Sequence, residues 1–203
     1  PNLDPDILVA QKQGALHLGG ISLSGDGHLV PDYPMILSTG LRPILDTLST
    51  DNDFDQSVKI ALTAAIEFTK RYEQVCDQQA QRCLDPKRKT ELQAMSKRAQ
   101  RIFEGPAQSF HDAVQMMYLI HVLESIVSNG HSFCLGRFDQ TLYPYYIKDL
   151  EAGVITRESA LEIIIHFFLM TNSLNKIRPN SHTTFSQGYP LYSNLLIGGV
   201  DAQ

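Results

Sequence analysis

The sequence predicts a helix-rich α/β fold, and three observations carry that prediction. Four long segments repeat apolar residues at helical spacing, and two of them are apolar on almost every side. Strand candidates are few and short: "HSFCL" at 131–135, "NLLIGG" at 194–199 and a weaker "HLV" at 28–30. The two better candidates run into glycine, as central strands do where the backbone turns into a functional loop.

Taken in order, "PNLDPDILVAQKQ" reads as an extended lead-in, and Gly14 to Pro34 as an irregular segment rich in glycine and serine. It leads into a helix near Asp32 or Tyr33, where Pro34 suits the first turn. The following "MILSTGLRPILDTL" keeps helical spacing, with interruptions near Gly40 and Pro43. From Ser57 to Leu84 one stripe joins Val58, Ala61, Leu62, Ala65, Ile66, Tyr72, Val75 and Cys76. Asp85 is an N-cap before Pro86, opening a second helix with Leu92, Met95, Ala99 and Ile102 turned inward. "EGPAQ" stops it, and Ser109 with Asp112 forms a capping arrangement. Beyond that cap, Ala113 to Val127 reads as a helix buried on every side. Thr156 caps a fourth helix, whose "SALEIIIHFFLMTNSL" is too apolar to face water.

No repeat, low-complexity tract or Gly/Ser linker divides the chain, so residues 1–203 read as one unit. The sequence stops at "IGGVDAQ", just after a strand candidate, which points to an internal portion of a larger domain. The formal charge is −5 with no basic run, so nucleic acid and anionic membrane have no electrostatic case as partners. The longest apolar stretches fall short of the roughly 20 residues a bilayer needs and carry His or Glu. No secretory signal is visible, and three cysteines are too few and too odd for a disulfide framework. A reducing cytoplasm is the expected location.

Candidate chemistry concentrates in "NGHSFCLGRFDQTLYPYY", Asn129 to Tyr146. Cys134 lies inside it without a neighbour in sequence that lowers a thiol pKa, so it reads as packing beside the site. Cys76 and Cys83, seven apart, read as packing too. There is no G-x-S-x-G elbow, and no histidine sits at metal-ligand spacing, so neither a hydrolase triad nor a metal site is indicated. His111, His121 and His166 read as hydrogen-bonded helix residues and His182 as a solvated loop residue. His28, in "GDGHLVPDY", stands between a glycine and a proline turn, where a ring can face a cavity or merely cap the next helix. His131 and Ser132 offer a ring and a hydroxyl side by side. On a regular strand they point to opposite faces, so both reach one ligand only through a kink, which Gly130 permits. Arg137 and Asp139 share a side of an extended backbone, where a buried, charge-assisted pair acts as a structural brace rather than as a catalyst.

The blocks "GHLVPDYPMILSTGL", "GPAQSFHDAVQ", "NGHSFCLGRFDQTLYPYYIKDLEAGVIT" and "NLLIGGVDAQ" occur in an order that resembles the pyruvate formate-lyase-like domain of glycyl radical enzymes. The likeness runs from about Gly14 to Gln203 and is closer to the branch of glycerol and diol dehydratases and formate acetyltransferases. It implies a ten-stranded α/β barrel of which this chain is an internal part, completed by the remainder of the barrel. It also implies a homodimer when complete, and a glycyl radical installed by an activating enzyme that uses S-adenosylmethionine and an iron-sulfur cluster. The radical passes to a cysteine, whose thiyl takes hydrogen from a small hydroxylated substrate. Neither the Arg-Val-x-Gly-aromatic motif nor the Gly-Cys-x-Glu motif is present, so the chain alone is expected to be inactive and to hold no catalytic residue. What the resemblance assigns is substrate binding by His131 and Ser132, and by a further histidine best matched by His28, with His17 nearby. Dehydratase or C-X lyase chemistry is the leading expectation and formate acetyltransferase the second. A non-catalytic helical scaffold or decayed remnant is the alternative outside the family.

Overall fold

The computed structural model of the chain describes residues 5–13, 28–128, 132–174 and 193–199. In chain order these residues form α1 (Pro5–Lys12), α2 (Tyr33–Thr39), α3 (Arg42–Thr47), α4 (Asp53–Arg82), α5 (Pro86–Arg101) and α6 (Phe110–Ser128). They continue with β1 (Gly136–Arg137), α7 (Phe138–Glu151), α8 (Arg157–Thr171) and β2 (Leu195–Leu196). The strands β1 and β2 pair in parallel, Gly136 opposite Leu195. The N-terminal lead-in, expected to be extended, is helical in α1.

Local chemistry sets the helix starts. Asp32 caps α2 by accepting from the Met35 N–H at 3.0 Å, and Asn52 caps α4 by accepting from Asp55 at 2.8 Å. Asp85 precedes Pro86 and accepts from Lys87, as the sequence indicated. The Ser109 hydroxyl accepts from the Asp112 N–H, and Thr156 with Ser159 makes a reciprocal capping box on α8. Gly40 ends α2 at φ 83, a conformation in which a Cβ would meet the Gly105 carbonyl oxygen at 2.5 Å. A side chain there is excluded twice, by backbone strain and by space. That corner is sewn to the 103–107 segment, because Leu41 and Arg42 both donate to the Phe103 carbonyl and Ala107 donates to Leu37.

The core gathers around α6, with Ala113, Val114, Met116, Met117, Leu119 and Ile120 all buried against α2, α7 and α8. Its start is held from α7: the Asp149 carboxylate, 3 % exposed, accepts from the Phe110 N–H at 2.7 Å. Phe138 of α7 stacks at 5.2 Å on Phe167 of α8 and completes this layer.

Several sequence expectations are corrected. α6 is buried only through its first three turns, since Ile126 and Val127 are exposed. On α4 the stripe breaks: Ala65, Ile66, Cys76 and Ala80 are buried, while Ala61, Tyr72 and Val75 face solvent. The reason is that, among the described residues, α4 past the core packs chiefly on α5. On α5 the inward face turns to Leu92 and Ser96, leaving Met95 exposed and Ala99 half-buried. α8, expected to avoid water, buries Ala160 and Phe167 but exposes Leu161, Ile165, Leu169 and Met170. No strand forms at 28–30. Cys83 lies just beyond α4, as its C-cap. Among the described residues no helix is long and apolar enough to cross a membrane.

Asp112 anchors the junction of α5 and α6. It accepts from Arg101 at 2.6 Å, from Arg98 at 3.2 Å and from the Gln108 N–H at 3.2 Å. Burial by itself raises a carboxyl pKa, but here the hydrogen bond and charge of Arg101, with Gln108 and Arg98, outweigh it and hold Asp112 below its ordinary value. Asp112→Ala is expected to cost about 3 kcal/mol in urea denaturation, because it strands two arginines, one of them largely buried. Next to it, burial and then the charge of Arg98 lower His111 from 6.5 to about 4. A depressed histidine favours the native state above its unfolded pKa, so stability should fall as pH drops from 6.5 towards about 4. The thermal midpoint of His111→Gln should lack that limb and keep the further loss below it, which belongs to Asp112.

Candidate active site

Two segments come together at the candidate site: 28–33, entering α2, and 132–137, entering α7. Each begins with a non-glycine residue in the left-handed region, His28 at φ 57 and Ser132 at φ 60. Such backbone costs about 1–2 kcal/mol per residue and persists only where surrounding contacts enforce it. The enforcing contact is visible, for the Cys134 N–H donates to the Leu29 carbonyl at 2.9 Å. Gly136, at φ 62, lets the two segments approach so closely that a Cβ there would lie 2.8 Å from Val30 Cγ1.

This arrangement corrects the expectation of a strand over 131–135. The left-handed turn at Ser132 breaks the extended run, and pairing with β2 begins only at Leu135, whose N–H donates to Asn194 at 2.8 Å. The anticipated kink therefore falls on the serine itself. Ser132 is fully buried, and its Oγ has no hydrogen-bond partner among the described residues. His28 is exposed. His131, His17 and His182 lie outside the described residues. Cys134 is half-buried, with its thiol directed at the Ser132 carbonyl at 3.4 Å.

Arg137 and Asp139 do not lie on one extended backbone. Arg137 is the N-cap of α7 and is exposed, whereas Asp139 sits in the helix's first turn. The Asp139 carboxylate accepts from the Gly198 N–H at 2.6 Å and from Gln140 at 2.8 Å. The Gln140 side chain donates to the Gly198 carbonyl at 3.2 Å, and a Cβ on Gly199 would lie 3.3 Å from Arg137 Nη2. Hydrogen bonds from Gly198 first, then those from Gln140 and the charge of Arg137, hold the Asp139 carboxyl below its ordinary value. The "GRFDQ" block thus grips the glycine turn that follows β2.

Sequence reasoning did not single out Glu124, and it expected His121 to be hydrogen-bonded, whereas its Nδ1 is buried without a partner among the described residues. Tyr33, His121 and Glu124 stand in an otherwise apolar layer, and Tyr33 Oη and His121 Nδ1 have no hydrogen-bond partner among the described residues. Burial lowers His121 and pushes Glu124 up to about 7. Burial first, then the charges of Glu124 and Cys134, keep the Tyr33 phenol protonated far above its ordinary range. The available signal was "LIHVLES": a histidine and a glutamate on a helix with no polar face. Among the described residues no group of three or more His, Cys, Asp or Glu is placed to hold a metal ion.

The described residues form a helix-rich α/β frame with one short parallel strand pair, and left-handed turns at His28 and Ser132 join the segments that enter α2 and α7. The chain belongs to the pyruvate formate lyase-like family, whose model matches residues 1–203, and this is the glycyl radical enzyme family that the motifs resemble. It is 34% identical to the "Probable dehydratase YbiW" of Escherichia coli over 94% of this chain and 26% of that protein. A structure solved for 1,2-propanediol dehydration in Roseburia inulinivorans superposes with a TM-score of 0.83 at 31% identity, covering 97% of this chain and 25% of that one. The B12-independent glycerol dehydratase of Clostridium butyricum, in its glycerol-bound form, gives 0.79 at 34% identity, covering 90% and 25%. The chain spans about a quarter of the length of the relatives it matches.

Asp139→Ala removes the acceptor that holds Gly198. Exchange of the Gly198 amide hydrogen should accelerate about tenfold or more, while amides in the middle of α6 keep their protection.

Proposed function

We propose that this chain forms the substrate-binding side of a glycyl radical enzyme that dehydrates a small hydroxylated compound or cleaves a C–X bond in it. The observation that carries the reading is the pairing of two left-handed turns through Leu29 and Cys134, with a fully buried Ser132 hydroxyl that no described residue engages. A hydroxyl held in this way can donate to and accept from a substrate hydroxyl. It offers no readily oxidised group to a radical, and positioning is most of what such a site must supply.

In this reading His28, Ser132 and the adjacent His131 orient the substrate. Asp139, with Arg137 and Gln140, holds the β2 turn against α7 and so fixes the strand ends that frame the site. The radical chemistry, hydrogen abstraction by a thiyl cysteine charged from a glycyl radical, is supplied by parts of the enzyme outside these 203 residues. Residues 1–203 then act as one partial domain, inactive alone. The remainder of the barrel, an S-adenosylmethionine and iron-sulfur activating enzyme and a second copy of the whole chain in a cytoplasmic homodimer are the expected partners. The names of the relatives support a dehydratase or lyase over pyruvate cleavage: beside the dehydratases stands an isethionate sulfite-lyase of Bilophila wadsworthia, 29% identical. A 2-oxo acid carboxylate would also call for arginines, and Arg137 is the one arginine in the motif.

The test is turnover by the complete, activated enzyme of glycerol, propane-1,2-diol, (2S)-3-sulfopropanediol, isethionate and pyruvate with coenzyme A. One of the hydroxylated compounds should be consumed, and turnover of pyruvate alone would overturn the reading. Ser132→Ala should raise KM for that compound roughly tenfold, the worth of about one substrate hydrogen bond.

A further inference from the structure

Helix α4 buries Ala65, Ile66, Thr69, Cys76 and Ala80. Beside them runs a second row, Ala61, Ala64, Phe68, Tyr72 and Val75, spaced three and four apart as the seam between paired helices is. Phe68 is half-buried and meets the Tyr72 ring edge-on at 5.2 Å, whereas the other four are exposed. The row is small on one side of Phe68 and large on the other. Turned end for end on a copy of itself about Phe68, it sets Ala64 against Tyr72 and Ala61 against Val75, four and seven positions either side of that centre. Charge follows the same pattern. Residues 46–55, leading into α4, hold Asp46, Asp51, Asp53 and Asp55 and no cation, with Phe54 76 % exposed among them. Residues 82–89, from the end of α4 into α5, hold Arg82, Lys87, Arg88 and Lys89 against Asp85, with Leu84 97 % exposed. Helix stability accounts for the aspartates at the start of α4 but not for the lysines, since basic groups in the first turn of α5 oppose its macrodipole. Of those four cations, ion pairs among the described residues engage Arg88 alone, through Glu91 at 2.9 Å.

We propose that this row of α4 is the contact between two copies of the enzyme, crossing antiparallel about a two-fold axis at Phe68. A two-fold axis makes every contact occur twice, so a row whose halves complement each other is sufficient. In that arrangement the acidic start of each α4 lies on the basic 82–89 turn of the other copy, and Phe54 and Leu84 fall at the ends of the seam. A second copy fits better than any other occupant because size and charge are both complementary within the row itself. The proposal rests on the homodimer expected above and names its surface, and it is independent of how the substrate site is read.

The experiment uses the complete enzyme before activation, so no result depends on turnover of the substrate panel. Ala61→Cys and Val75→Cys are placed together in one chain, where about 21 Å of helix separates them, beyond the roughly 7 Å that a disulfide spans between Cα atoms. Mild oxidation should join two chains in this double variant and in neither single variant, as read on a non-reducing gel. A double variant that does not link overturns the proposal, whether the parent is a monomer, dimerises through another face or covers the row with the remainder of its own chain. Lys87→Glu with Lys89→Glu, and separately Asp51→Lys with Asp53→Lys, should each weaken the dimer about tenfold or more at low salt, measured by mass photometry on dilution. All four changes together should bring the dissociation constant back to within about threefold of the parent, a rescue that damage to the fold would not give. Reversals that leave the dimer unchanged, or a fourfold variant no tighter than either pair, overturn the proposal. If the dimer behaves as stated and no hydroxylated compound is consumed, the functional reading fails by itself and this one stands.

Discussion

Through its first three turns helix α6 has no face of its own for water, and the described structure is arranged around that constraint. A helix buried on several sides is under pressure to pair the polar groups it carries, since an unpaired buried group costs about 1–3 kcal/mol. Asp112 at its start takes Arg98 and Arg101 from α5, and Phe110 takes the Asp149 carboxylate from α7. The neighbouring helices α5 and α7 are held to α6 by polar contacts, and α8 packs on it through Ala160, Ile163, Ile164 and the ring contacts of Phe167.

The candidate site inherits its geometry from this arrangement. α2 is fixed on α6, so the turn before α2 has a fixed origin, and α7 fixes the turn that precedes it in the same way. A single backbone hydrogen bond between Leu29 and Cys134 then suffices to align them. The grip of Asp139 and Gln140 on Gly198 adds the second strand end to the same frame. Residues far apart in sequence are thus brought together by one main-chain bond at Leu29 and Cys134 and by the side chains of Asp139 and Gln140 on Gly198.

That explains which features were legible in the sequence. Helix starts were, because Asp32, Asp85, Ser109 and Thr156 act within three residues of themselves. Family and fold class were, through the order of the motif blocks. The facing of α4 and α5 was not, because Tyr72, Val75 and Met95 have core-like side chains at places where no further layer covers them. Helix α7 was missed because Pro144 within it and "GRFD" across its start suggest extended chain; Phe138, Leu142 and Asp149, buried together on one face, give it away only in three dimensions. Ser132 was singled out in the sequence, but its full burial and left-handed backbone were not legible there, and neither was the unpaired Tyr33 hydroxyl, because burial depends on neighbours distant in the chain.

The left-handed backbone at positions 28 and 132 has a consequence for how such a site changes over generations. Glycine would adopt either conformation with less strain, by about 1 kcal/mol, so mutational drift at these two positions runs towards glycine on stability grounds. Each such step would remove the imidazole or the hydroxyl. A lineage that keeps a histidine and a serine there holds them against the stability gradient, and a copy freed from its chemical task would lose these two side chains while its fold grew firmer.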